Sequence, residues 1–150
     1  MISLLIFFLL IAPLTILFHE FGHAGMAYIL KADLVHFFIG SGRERAALRV
    51  GRIHLHLHTL LFMGGQSLSE KENDFKAWEK VLISIAGPIM NGVVAWGISF
   101  MSYENTVIQL AIWFNLWLAI LNLIPFRHGR KKSDGYVCVE VFIKSLRTRD

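Results

Sequence analysis

Residues 2–30 read ISLLIFFLLIAPLTILFHEFGHAGMAYIL, an apolar run of membrane-spanning length that carries His19, Glu20 and His23 toward its end. Titratable side chains are expensive in hydrocarbon, so a group of them inside such a run indicates a functional site. Histidines at positions i and i+4 lie on one face of a helix, where both can bind one metal ion. The pattern therefore predicts a zinc site on a membrane-spanning helix, with Glu20 beside it as a general base.

A second interpretation of the same histidines is structural. In it, His19 and His23 hydrogen-bond to carbonyl groups of neighbouring helices and bind no metal. The apolar setting, in which Glu20 needs a partner as well, favours the metal site.

The composition indicates a membrane protein. Hydrophobic residues make up 55% of the 150-residue chain and charged residues 17%, a balance far from that of soluble domains. Three segments are long and apolar enough to span a bilayer, namely residues 2–30, 81–101 and 107–125. The length predicts a single domain, residues 1–150. Because no basic residue precedes the first span and no clear cleavage site lies before Phe18, we expect a retained helix rather than a secretory signal.

The positive charges predict the orientation in the membrane. All 15 Lys and Arg lie between Lys31 and Lys80 or from Arg127 onward, and the net charge is +4. With three spans, both regions fall on one side, which the positive-inside rule places in the cytoplasm, with the N-terminus outside. Topology and lipid headgroups explain this basicity, so we expect a lipid bilayer and no nucleic acid as a partner. We expect a multi-pass cell-membrane protein whose active site lies near the cytoplasmic face.

Residues 34–65 follow a different pattern, in which apolar residues alternate and glycines interrupt. This predicts a small membrane-associated β region on the cytoplasmic side. His54, His56 and His58 alternate along one strand and share a face, but they spread over about 13 Å, which is poor geometry for one ion. We expect that face to meet solvent or headgroups. The predicted fold class is all-α membrane, with three transmembrane helices and a small β region between helices 1 and 2.

A catalytic zinc with two histidine ligands lacks one protein ligand. Asp134 is a candidate, because it follows the third span and precedes Gly135, which allows a backbone turn close to the ligand. A plain Asp-Gly turn explains the pair equally well. His128, in the link between Pro125 and Asp134, is a substitute ligand. Cys138 is the only cysteine, and we interpret it as a packing residue rather than a catalytic thiol.

Three motifs in this order resemble those of the site-2 protease family of intramembrane zinc metalloproteases. They are HEFGH at 19–23, GPIMN at 87–91, and NLIP at 122–125 followed by DG at 134–135. The chain resembles a short, near-minimal member of that family. The resemblance implies that His19, His23 and Asp134 bind one zinc ion, and that Glu20 is the base that activates the zinc-bound water.

The implied activity is that of a zinc metalloendopeptidase. It would hydrolyse a peptide bond in or near a transmembrane segment of a membrane-anchored protein or a signal-peptide-like substrate. A catalytically inactive zinc-binding membrane scaffold or regulator is the alternative. No pattern in the chain indicates its oligomeric state.

The resemblance also covers residues around the predicted site. Asn91 and Asn122 match polar positions where amides orient the substrate or stabilise the oxyanion, with interhelical hydrogen bonding as the alternative. Gly87 and Pro88 are expected to allow close packing rather than to take part in chemistry. Residues 60–65 resemble a β segment whose edge can pair with an unwound substrate. Residues 136–146 fit a strand or a short interfacial helix, and the resemblance favours the helix.

Overall fold

A computed structural model of the chain describes residues 2–101, 105–129 and 131–147, with the backbone alone for residues 61–63. The elements in chain order are α1 (Ile2–Ile29), β1 (Leu34–Val50), β2 (Ile53–Glu70), α2 (Ala77–Ile98), α3 (Thr106–Leu123), β3 (Arg127–His128), β4 (Lys131–Lys132) and α4 (Asp134–Arg147). The short polar sequence between the second and third spans, residues 102–105, predicts a tight turn, and residues 102–104 lie outside the described residues. Its last residue, Asn105, begins α3 by accepting a hydrogen bond from the Val107 N–H over 2.9 Å.

Helices α1, α2 and α3 are 28, 22 and 18 residues long and apolar enough to cross a membrane. At 1.5 Å per residue even α3 covers about 27 Å, close to the thickness of a hydrocarbon core. The three predicted spans are therefore confirmed, although α2 begins earlier than expected, at Ala77. Helix α1 contains a π-helical turn, Phe7–Ile11, just before Pro13, which has no N–H to donate.

Gly22 allows α1 and α2 to approach until their backbones touch. A Cβ atom added at Gly22 would lie 2.9 Å from the Gly87 Cα and would overlap the Ala86 carbonyl. Small residues at helix crossings are typical of membrane proteins, where close packing replaces the hydrophobic effect. Helix α3 is tied to α1 by a polar contact, because the Asn115 Nδ2 donates to the Thr15 Oγ1 over 3.1 Å in a fully buried position.

The β region is larger than predicted, because β2 continues to Glu70 and the strands are 17 and 18 residues long. The fold is therefore not purely all-α. Both strands bend, so the first part of β1 pairs twice: residues 34–39 lie beside residues 65–70 in an antiparallel register and also beside residues 53–57. The segment 65–70 is left at an edge of the described sheet.

The sheet packs on α1 through one face. Val35, Phe37 and Ile39 alternate along β1 and are buried against Ala24 and Ala27 of the helix. The apolar alternation that predicted a strand is thus explained by this contact. The opposite face carries the histidines of β1 and β2.

The link between α3 and α4 folds as a small hairpin. β3 pairs with β4 in an antiparallel register, and the turn contains Gly129 at a φ of +59°. Asp134 is the first residue of α4, so the helix expected after the Asp-Gly pair is confirmed. The prediction that Gly135 allows a backbone turn was wrong. Gly135 lies inside α4, where an added Cβ would overlap the Leu123 carbonyl. It serves close approach, not a turn.

The contact between α1 and α2 can be tested at its glycine. Gly22→Ala is expected to lower the free energy of unfolding by about 1–3 kcal/mol, because the new methyl group overlaps the α2 backbone. The matched control is Gly25→Ala on the same helix, where an added Cβ meets nothing within 4 Å. That change should leave stability unchanged or raise it by about 0.5–1 kcal/mol. Thermal unfolding in detergent micelles measures both, and equal destabilisation by the two variants would contradict the contact.

Candidate metal centre

His19, His23 and Asp134 meet at the end of α1 nearest the sheet. The Nε2 atoms of the two histidines are 3.2 Å apart. The Oδ2 of Asp134 lies 3.2 Å from the His19 Nε2, and its Oδ1 lies 3.3 Å from the His23 Nε2. The histidines lie one helical turn apart on α1, and Asp134 reaches them from the start of α4. The three side chains that the sequence singled out are therefore in mutual contact.

These separations fit a metal ion. Ligand atoms at about 2.0–2.1 Å from a tetrahedral zinc lie about 3.3 Å from one another, and the three separations here are 3.2–3.3 Å. The polar atoms also lack other partners: within the described residues the buried Asp134 Oδ2 and His19 Nδ1 have no hydrogen bond. Two imidazole nitrogens and a carboxylate are a donor set that zinc prefers.

The orientation of His23 is fixed by α2. Its Nδ1 donates to the Ile83 carbonyl oxygen over 2.7 Å. A histidine that donates through Nδ1 has a lone pair on Nε2, the atom that faces His19 and Asp134. The position of Ile83 is thus part of the site, because it selects the tautomer that binds metal.

Gly87 brings α2 against both imidazoles. A Cβ atom at this position would lie 3.0 Å from the His19 Cε1 and would overlap the His23 ring. Any side chain there would displace the ligand atoms. The close packing expected at Gly87 is confirmed, and the groups against which Gly87 packs are the two histidines of the site.

Asp134 is positioned by Ser133, a residue that the sequence analysis missed. The Ser133 Oγ accepts from the Tyr136 N–H over 3.1 Å, which caps the start of α4. It also donates to the Ile124 carbonyl over 2.8 Å and so fastens α4 to the end of α3. A serine directly before the first helical residue is the signal that would have identified this cap.

The carboxyl group of Asp134 is ionised in this environment. Burial alone would raise the pKa of Asp134, but the adjoining imidazoles of His19 and His23 outweigh burial and hold the pKa below its ordinary value. An ionised carboxylate is the form that binds a metal ion. Nearby on α4, burial raises the pKa of the Cys138 thiol, so this cysteine stays protonated at neutral pH and is no nucleophile.

Glu20 lies next to the two histidines on α1 and is buried, at 6% exposure. Its Oε2 has no hydrogen-bond partner within the described residues. Its other oxygen meets the backbone of β2, since a Cβ added at Gly65 would lie 2.8 Å from the Glu20 Oε1. A buried carboxylate with one free oxygen is placed to exchange a proton with a molecule in the adjoining cavity.

A cavity of about 780 Å³ joins these groups. Its walls come from α1, α2, α3, α4, the β2 edge and the small hairpin; they include His19, Glu20, His23, Gly65, Gln66, Ser67, Leu68, Ser69, Lys80, Asn122, Lys131, Lys132 and Asp134. Strand residues 66–69 and the three lysines are parts of the site that the sequence analysis did not identify. No local pattern marks them, because they reach the cavity only through the fold.

The two asparagines occupy different places. Asn122 lines the cavity, and its Nδ2 donates to the Leu118 carbonyl on its own helix over 3.0 Å. Asn91 is fully buried and lies outside the lining, and neither of its side-chain polar atoms has a partner within the described residues. His128 is exposed on the hairpin and is not among the described groups that could hold a metal ion.

The sequence matches one known family of proteins over most of its length. A family model described as Peptidase family M50 matches residues 6–106. The match includes His19, Glu20, His23 and Asn91 and ends before Asn122 and Asp134. Among curated proteins, no significant match is found.

The third ligand can be tested by metal content. Asp134→Ala is expected to weaken zinc binding at this site by at least about 100-fold, because it removes one of three protein ligands. His128→Ala, on the neighbouring hairpin, is the control and should bind zinc as the parent does. Competition with a chelator of known affinity measures both. Loss of zinc in the His128→Ala variant alone would assign the ligand to His128 instead.

Proposed function

The chain belongs to peptidase family M50, the site-2 protease family, and we propose that it is an intramembrane zinc endopeptidase. The family makes it a metalloprotease, and its three apolar helices make it a multi-pass membrane protein. The proposal extends this to a peptide bond in or near a transmembrane segment of a membrane-anchored or signal-peptide-like substrate. The convergence of His19, His23 and Asp134 beside Glu20 in one cavity is the observation that carries it.

In this proposal His19, His23 and Asp134 would hold one zinc ion at the wall of the cavity. Bound zinc would supply Lewis-acid chemistry there: polarisation of the scissile carbonyl and a pKa of about 7 for bound water. The hydrogen bond from His23 to Ile83 and the Ser133 cap keep the ligands in place before substrate arrives. Preorganised ligands reduce the reorganisation that each turnover requires.

Glu20 acts as the general base and then as the acid. Its partnerless Oε2 accepts a proton from the attacking water, and the same carboxyl group returns that proton to the leaving amine. Burial against Gly65 holds the side chain at the cavity wall. The glutamate therefore needs no large movement between the two proton transfers.

Asn122 orients the substrate backbone in this proposal. It lines the cavity, and its amide group keeps hydrogen-bonding capacity beyond the bond to Leu118. The burial of Asn91 outside the cavity favours a role in helix packing for that residue.

The edge of β2 binds the substrate as an added strand. Residues 65–70 pair with β1 on one side, and residues 65–69 line the cavity with Glu20. An extended peptide laid along this edge gains backbone hydrogen bonds and exposes its carbonyls to the site. Gly65, the last residue of the segment 60–65 that the sequence indicated, lies against Glu20, and the proposed edge continues from it along the cavity to Ser69.

The orientation follows from the positive-inside rule. The basic β region and hairpin would face the cytoplasm, and the N-terminus would lie outside. Cleavage would then occur near the cytoplasmic end of the substrate segment. The alternative of an inactive zinc-binding scaffold has the same topology and metal, and differs only in making no use of Glu20.

Substitution of the base separates the enzyme from the scaffold. Glu20→Gln is expected to lower the rate of cleavage of membrane segments by about 10²–10⁴-fold, because the amide cannot accept the proton. Zinc content should stay unchanged, since Glu20 is not a ligand. The control is Glu72→Gln, an exposed carboxylate away from the cavity. Equal cleavage by the Glu20→Gln variant and the parent would refute the assignment of the base.

Proline scanning tests the added strand. Single substitutions to proline at Gln66, Ser67 and Leu68 remove one backbone N–H each. Along the strand, the N–H groups of successive residues point alternately outward, away from β1, and toward β1. At outward positions kcat/KM should fall several-fold to about tenfold per lost hydrogen bond, with little change in the unfolding temperature. At inward positions the unfolding temperature itself should fall. Full activity at every position would exclude strand addition.

A further inference from the structure

A second group of histidines lies on the outer face of the sheet. His36 of β1 and His54 and His56 of β2 bring one ring nitrogen each to within 4.8 Å of one another. We propose that this group is a second metal site, which binds Zn²⁺ or another divalent transition ion that prefers imidazole. It is separate from the centre formed by His19, His23 and Asp134.

The geometry comes from strand pairing rather than from spacing along one strand. In the register, His36 is opposite His54, and Phe38 is opposite His56. Neighbouring strands lie about 4.8 Å apart, whereas residues i and i+2 on one strand lie about 6.6 Å apart. His36 on the neighbouring strand therefore completes a group of three histidines close enough for one ion, which histidines 54, 56 and 58 alone cannot form.

Two of the three ligands already have the separation that a metal site needs. The Nδ1 of His36 lies 3.3 Å from the Nε2 of His56, the edge length of a tetrahedron around an ion with bonds of about 2.0 Å. The His54 ring centroid lies 4.5 Å from that of His36. One ring nitrogen of His54 lies within 4.8 Å of the ligand atoms of His36 and His56.

The carboxylate of Glu44 orients His56 through the ring nitrogen that faces away from His36. The Nδ1 of His56 lies 3.0 Å from the Oε2 of Glu44 and donates to it. This bond leaves the Nε2 lone pair of His56 directed at His36. A histidine ligand that donates its second nitrogen to a carboxylate is a recurring arrangement in zinc sites.

The third ligand has a nitrogen without a partner. The Nε2 of His54 is buried and makes no hydrogen bond within the described residues. A buried polar atom without a partner is unfavourable unless something binds it. His58, further along the same strand, has a buried partnerless Nδ1 too, but it is not part of the group. His58 therefore provides a matched control.

The ion would join the two strands from outside. The opposite face of the same β1 segment, at Val35 and Phe37, packs on the core, so the site does not open into the catalytic cavity. Because β1 residues 34–39 also pair with β2 residues 65–70, fixing this segment fixes the edge that lines the cavity. The metal here is structural, since it orders the sheet without touching the centre on α1.

The experiment measures metal binding in a chain whose centre on α1 is disabled. In the full-length His19→Ala/His23→Ala variant, purified in detergent and stripped with chelator, we expect Co²⁺ or Zn²⁺ to bind at about one ion per chain. Adding His54→Gln should lower the affinity at least tenfold, and adding His58→Gln should leave it unchanged. Bound Co²⁺ should give the visible absorption of a tetrahedral site.

A second measurement uses the parent chain, in case the double variant does not fold. The parent should bind about two zinc ions, the His54→Gln variant about one, and the His58→Gln variant about two. Zinc should also raise the unfolding temperature of Asp134→Ala, and this rise should vanish when His54→Gln is added. Metal binding that is indifferent to His54, or equally sensitive to His58, overturns the proposal and leaves the centre on α1 untouched.

Discussion

The structure depends on how three titratable side chains are accommodated in an apolar helix. His19, Glu20 and His23 lie on α1, a helix that is otherwise of membrane-spanning character. In hydrocarbon each polar atom needs a partner inside the protein. The Ile83 carbonyl accepts from His23, and Asp134 lies beside the Nε2 atoms of both histidines, at the place proposed for a metal ion. The polar groups of one helix thereby determine where α2, α4 and the sheet must lie.

The helices approach one another closely because glycine, which has no side chain, lies at the points of contact. Gly22 and Gly87 allow α2 to lie against α1 and its imidazoles, and Gly135 allows α4 to lie against the end of α3. A single methyl group at any of these positions would separate the backbones by more than the tolerance of a metal site. Glycine here is required by distance and not by backbone conformation, because all three lie in helices.

The sequence predicted much of this arrangement, for physical reasons that can be named. The length and hydropathy of the spans depend on local composition, so the three helices were predictable, and the i and i+4 histidines share a face by helical geometry alone. Strand pairing is not local. The bend that brings β2 back along β1 places the sheet edge at Gly65, and it also places His36 beside His54. The spacing of residues along the chain indicates neither contact. Asp134 and His128 were both candidate ligands from the sequence; in the structure Asp134 lies beside His19 and His23, and His128 lies exposed on the hairpin.

The size of the cavity constrains what the proposed enzyme can accept. A transmembrane helix about 30 Å long and 10 Å wide occupies roughly 2,400 Å³, whereas the cavity holds about 780 Å³. Only a short part of such a segment fits, and it fits with its carbonyls free only if it is unwound. The walls agree with this, because one of them is the edge of β2, and Glu20, the proposed base, lies against Gly65 of that edge. In the proposed enzyme, unwinding of the substrate would therefore precede cleavage, and segments with weak helices would be the ones selected.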